Sequence, residues 1–147
     1  MKFVWTKQLS VGNRIIDTQH KRLHNTINEL SMSIAACNVV ALTGIFDLLE
    51  DYMRDCFIAE ENIARAIGFD FSQHKLTHQH LLEEFSRIRA ELMVKNGAWS
   101  KDEAKHYAKA LMSSLVKHIE VDGKPFRTVL DTHFYDLKPN GVHGAPQ

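Results

Sequence analysis

Four long stretches of this chain carry apolar residues at the three-to-four-residue spacing of a helix. Each is closed by glycine, asparagine or proline, so most of the length is committed to helix and little is left for strands. The first places Ile16, Leu23, Ile27 and Leu30 on one stripe with His20 and should end around Ala36 to Asn38. The second begins near Ala41 or Thr43 and turns Phe46, Leu49, Met53, Cys56, Phe57, Glu60 and Ile63 inward. It stops at Gly68, which tolerates the left-handed conformation that closes a helix. The third runs from about Ser72 with His74, His78, Leu81, Phe85, Ile88 and Leu92 on one stripe, and ends at Asn96-Gly97. The fourth opens on "SKDE", a capping box in which Ser100 and Glu103 each satisfy the other's free backbone amide. Its stripe is Tyr107, Leu111, Leu115 (or Ser114), His118 and Asp122, and Gly123 and Pro125 are expected to close it.

Helices joined by a few residues must run antiparallel to their neighbours. The fold class is therefore all-α: an up-down-up-down four-helix bundle over about residues 15–125, preceded by an N-terminal arm. Beyond the bundle, Phe126, Val129, Leu130, Phe134 and Leu137 are spaced for a short C-terminal helix, and residues 138–147 read as a mobile tail. At 147 residues the chain is one domain, 1–147. Eighteen basic residues balance eighteen acidic ones, so no global field selects nucleic acid or an anionic membrane, and neither is expected as a partner. Cys37 and Cys56 form neither a CxxC pair nor a disulfide framework. No apolar run reaches signal-peptide or membrane-span length. These features predict a soluble, cytoplasmic protein with reduced thiols.

The chemistry lies in what interrupts the apolar stripes. His20, Glu60, His74, His78, His118 and Asp122 all occupy inward positions, with at least one on every helix. Burying charge without a partner costs several kcal/mol per ion, so these groups need something between them. A metal answers that need. His74 and His78 stand one turn apart on one face, and the Cys56/Glu60 and His118/Asp122 pairs repeat that spacing. Mixed imidazole and carboxylate donors suit iron, manganese or zinc, and carboxylates able to bridge suggest two ions. His24, His80, His106, His133 and His143 are assigned ordinary core or surface roles.

The run "VWTKQLSVGNRIIDTQHKRLHNTINEL" closely resembles the bacterial form of the hemerythrin family, and the resemblance covers about residues 3 to 126. It implies a non-heme diiron centre, two oxo- or hydroxo-bridged iron ions, that binds dioxygen reversibly. In the family that centre is held by five histidines and two bridging carboxylates. His20 matches the first-helix ligand, Glu60 the bridging glutamate, His74 and His78 the third-helix pair, and His118 the last histidine. Two positions depart. The segment that starts with histidine in the family reads "CFIAEE" here, so Cys56 stands at a ligand position. The bridging aspartate is expected five residues after the last histidine, where this chain has Gly123; Asp122 comes one residue earlier.

The expected metal set is thus His20, Cys56, Glu60, His74, His78, His118 and Asp122. The function it implies is storage, transport or sensing of dioxygen, by a binding protein rather than an enzyme. Two alternatives stand beside it: a metal-redox or thiol sensor built on Cys56 with a weakened second iron, and a metal-free interaction module. No protein partner can be named from the residues.

Overall fold

A computed structural model describes residues 3–131. Five helices follow one another: α1 (Arg14–Ala35), α2 (Val39–Ala66), α3 (Ser72–Lys95), α4 (Lys101–Lys117) and α5 (Lys124–Asp131). A 3-10 turn, Lys7–Leu9, precedes α1, and a π-helical turn, His118–Asp122, joins α4 to α5. Helix α1 packs on α2 and α4, and α3 packs on α2 and α4, which closes the four-helix bundle. No helix among the described residues is long and apolar enough to cross a membrane.

Local chemistry sets the boundaries. Asn13 caps α1 by accepting from the Ile16 amide at 3.1 Å. At the other end of α1 the Asn38 amide donates to Ser33 and the Cys37 amide to Ile34, with Cys37 in the left-handed region at φ 54°. Asn38 then caps α2 through the Ala41 amide. This double use of Asn38 lets α2 start at Val39, two residues before the earliest start expected from its apolar stripe. Gly68 closes α2 at φ 71° as expected, and the Ser100–Glu103 capping box is present in full.

The fourth helix departs from expectation. Its α-helical bonding stops at Lys117, and the Gly123 amide reaches back five residues to the His118 carbonyl at 2.9 Å. Pro125 does not end this helix; it sits in the first turn of α5, where a missing amide costs nothing. Arg127 of α5 donates to the carbonyls of Ile119 and Glu120, at 3.5 and 3.1 Å, within the wide turn. Of the expected C-terminal helix, Phe126, Val129 and Leu130 lie on α5, while Phe134, Leu137 and the tail lie outside the described residues.

Two apolar clusters fill the bundle, and polar side chains separate them. The larger includes Leu23, Cys56, Leu81 and Leu115; the smaller, at one end, joins Val11, Ile16, Ile63, Ala64, Ile67, Phe126 and Leu130. Residues from the start of α1 and the end of α2 share that small cluster, as antiparallel helices require. On α1 and α2, His20 and Glu60 fall between residues of the two clusters, while Cys56 belongs to the larger one. The arm also docks: Asn28 holds the Phe3 backbone by two hydrogen bonds, and Leu9 is buried.

Candidate metal centre

Four helices deliver their polar side chains to one buried layer. His20 comes from α1, Cys56 and Glu60 from α2, His74 and His78 from α3, and His118 from the start of the π turn. All six are buried, with Cys56 at 0 % exposure. The donor atoms fall into two groups, each within 4.8 Å: Glu60, His74, His78 and His118 in one, and His20, Cys56 and Glu60 in the other. Glu60 belongs to both.

The carboxylate of Glu60 is split between the two groups. Its Oε1 lies 3.1 Å from His20 Nε2. Its Oε2 lies 2.7 Å from His78 Nε2 and 3.7 Å from His74 Nε2. One oxygen thus faces each half, as a carboxylate bridging two ions would. The i, i+4 spacing on α2 brings Cys56 to the same face as Glu60, and the same spacing on α3 stacks His74 and His78.

Partners outside the cluster orient some of the rings. His74 Nδ1 donates to the Asp122 backbone carbonyl at 3.3 Å, which leaves its Nε2 with a lone pair turned into the site. Phe57 stacks on His78 at 3.8 Å between ring centroids, with planes 9° apart. Phe71 lies against both His74 and His78, and Phe126 against His74. These aromatics wall the three-histidine half. The sequence placed Phe57 inward on the second helix and Phe126 on the short C-terminal helix, and gave no role to Phe71; the one signal for it was its place just ahead of the first-turn histidine.

Electrostatics match a buried anion among imidazoles. Burial opposes ionisation of Glu60, but the close approach of the His20, His74 and His78 rings outweighs it and holds the carboxyl well below its usual range. Burial lowers His78, and it lowers His118 to about 3. Burial, reinforced by the Glu60 charge, pushes the Cys56 thiol well up. Without an ion, burial favours neutral rings at His78 and His118 and a neutral thiol at Cys56, beside the Glu60 carboxylate.

Hydrogen bonding within the protein does not satisfy this cluster. His20 Nδ1, His74 Nε2, His78 Nε2, His118 Nδ1 and Glu60 Oε2 are buried and lack an aligned hydrogen-bond partner. Even the 2.7 Å approach of His78 to Glu60 lacks that alignment, so the two atoms face a common space rather than each other. Orphaned buried polar atoms in such number are uncommon in native interiors, and nitrogen and carboxylate donors are what a divalent cation needs. The residues fit a metal.

Asp122 is not gathered in with the rest. Its carboxylate is 27 % exposed and 3.7 Å from His118 Nδ1. The wide turn spends an extra residue coming round, so the residue four after His118 is carried off the inner face and offers its peptide carbonyl to His74 instead. Gly123 does not leave room for a side chain: a Cβ there would lie 2.8 Å from the Ile119 carbonyl oxygen. His24 is buried edge-on to Trp5, outside both donor groups.

A family model described as the hemerythrin HHE cation binding domain matches residues 11–122. A bacteriohemerythrin of Pseudomonas aeruginosa (strain UCBPP-PA14) is 32% identical over 87 residues, 58% of this chain and 57% of that protein. The chain thus spans a little over half the length of that relative. A bacteriohemerythrin of Stenotrophomonas maltophilia (strain R551-3) is 26% identical over 131 residues, 88% of this chain and 82% of that one. A hemerythrin-like protein of Naegleria gruberi is 31% identical over 83 residues, 56% of this chain and 65% of its own.

Proposed function

The chain belongs to the hemerythrin family, and on that premise we propose that it binds dioxygen at a non-heme diiron centre in the layer between its two apolar clusters. One observation carries the reading: Glu60 directs one carboxylate oxygen to His20 and the other to His74 and His78. A bridging ligand has to reach both ways, whereas a carboxylate buried only to satisfy one histidine does not. Iron bound there would supply the electrons that hold dioxygen.

The chain's own residues make the two halves unequal. His74, His78 and His118 with Glu60 would hold one ion through three imidazoles and a carboxylate oxygen. His20 and Cys56 with the other Glu60 oxygen would hold the second. Phe57, Phe71 and Phe126 line the three-histidine half and exclude water from it, which suits capture of a small apolar molecule. The reading is of a binding protein, not an enzyme, with dioxygen as its ligand.

Anaerobic loading with ferrous iron, followed by admission of air, tests it. The expected result is iron retained in both halves and a new visible absorption on exposure to air that reverses under vacuum. Failure to retain iron, or an unchanged spectrum, would overturn it. Cys56 favours a second reading, a metal-redox or thiol sensor. Because burial keeps the metal-free thiol protonated, that reading requires the metal to expose or activate it. Faster alkylation of Cys56 in iron-loaded protein than in metal-free protein would support it, and equal rates would count against it.

A further inference from the structure

Cys56 is where this chain parts from an all-nitrogen and oxygen donor set, and its surroundings are those of a ligand rather than of a filler. Its sulfur, a His20 ring nitrogen and a Glu60 oxygen lie within 4.8 Å of one another. His20 Nδ1 and Nε2 differ in surroundings: Nε2 faces Glu60 Oε1 at 3.1 Å, and Nδ1 is buried with no partner. Donors bound to one ion at about 2.0–2.3 Å stand roughly 3–4 Å apart, so only a small inward movement would close this triad on an ion. The triad offers one sulfur, one nitrogen and one oxygen, while the other half offers nitrogens and one oxygen.

We propose that the Cys56 half of the centre is a thiolate site that favours zinc over iron more strongly than the three-histidine half does. This rests on the reading of Glu60 as a shared ligand. Affinity for simple nitrogen and oxygen sites already rises from ferrous iron to zinc, and a soft thiolate widens the gap at the half that contains it. On coordination the Cys56 S–H bond breaks, the sulfur–metal bond forms, and the proton leaves to solvent; no electron is transferred. Burial of His20, Cys56 and Glu60 removes water as a competitor for the ion. Zinc is redox-silent. Zinc in this half would therefore remove one of the two electron donors that dioxygen binding needs, and the metal supply would decide whether the centre handles oxygen. The competing reading is that Cys56 is a small core residue, since it also contacts the larger apolar cluster.

Cobalt(II) titration of the full metal-free chain separates these readings, because a cobalt–thiolate bond absorbs intensely in the near ultraviolet and cobalt bound only by histidine and carboxylate does not. The band is expected in the wild type and in Cys37→Ser, in which Cys56 is the sole thiol, and it is expected to vanish in Cys56→Ser and Cys56→Ala. Partners of a ligand alone are worth about ten- to hundredfold in affinity, so loss of the ligand itself should weaken zinc binding by at least about a hundredfold. Anaerobic loading with equal iron and zinc should leave a higher zinc-to-iron ratio in the wild type than in the Cys56 variants. Cobalt bound with no thiolate band in Cys37→Ser, or equal zinc retention in Cys56→Ser, overturns the proposal and leaves the family reading standing. Retention of no iron, zinc or cobalt overturns both. If neither Cys56 variant keeps the wild-type circular dichroism, the presence or absence of the band in Cys37→Ser decides.

Discussion

Glu60 belongs to both donor groups, so its removal should be felt in both. Glu60→Gln keeps the shape and a carbonyl oxygen but loses the charge that offsets two cations. Metal analysis of this variant should show both ions lost or weakened together. His118→Ala should deplete only the three-histidine half and leave the Cys56 half able to bind cobalt. At this scale the metal-free protein also carries a pH signature. His118 has a folded pKa of about 3 against an unfolded value near 6.5, so the unfolded chain takes up a proton first as pH falls. That loss of stability begins just below pH 6.5 and continues to about pH 3, by up to roughly 1.4 kcal/mol per pH unit. His78, also lowered by burial, acts in the same direction. Glu60, held low, adds a stabilising contribution that is complete above the unfolded carboxyl range and lost as pH falls further. Thermal melts of metal-free protein from pH 7.5 to 4.5 should therefore show a steady fall in Tm, and a flat profile would contradict the buried, neutral histidines described here.

Among the elements, the π turn between α4 and α5 has the most consequence for the site. It presents His118 to the cluster, turns the Asp122 carbonyl to His74, and leaves the Asp122 carboxylate at the rim. Gly123 is required by packing rather than by its φ of −81°, because an added Cβ would meet the Ile119 carbonyl at 2.8 Å. Gly123→Ala should cost about 1–3 kcal/mol and disturb metal binding at His74 and His118 together, read as a coupled fall in Tm and metal content. Ser100→Ala, at the far end of α4, removes a cap and should cost about 1 kcal/mol while leaving metal content unchanged. The contrast between these two variants separates damage to the helix from damage to the site. The capping box and the Gly68 stop were readable from the chain because they depend on neighbours within a few residues. The π turn was not: Gly123 and Pro125 signalled a disruption, but which hydrogen bond replaced the α-helical one depends on α5 folding back so that Arg127 meets the Ile119 and Glu120 carbonyls.

Across the whole molecule, metal binding and folding should be linked, since the buried histidines and Glu60 have few other partners. An ion at a hundred times its dissociation constant would add about 2.7 kcal/mol, so chelation should lower Tm measurably and readdition of ferrous iron should restore it. The same melt performed on Glu60→Gln should show little response to chelator. The overall fold is strongly encoded along the chain, because period-3.6 stripes and short loops leave few arrangements open other than an antiparallel bundle. Much of the centre is encoded too: a ligand-type residue breaks the apolar stripe on all four helices, and His20 and Glu60 lie between residues of the two apolar clusters. The sharing of Glu60 between the two halves, with Cys56 and His20 in one, was already implied by the resemblance, and the tertiary structure alone decided which atoms meet. Spacing along the chain does not say that Glu60 Oε1 faces His20 while Oε2 faces His78, or that Trp99 donates across the bundle to the Ile34 carbonyl at 2.8 Å. Spacing places a side chain on a face of its own helix, but which atom it meets depends on the rotation and depth of a second helix, and those are set by packing across the core.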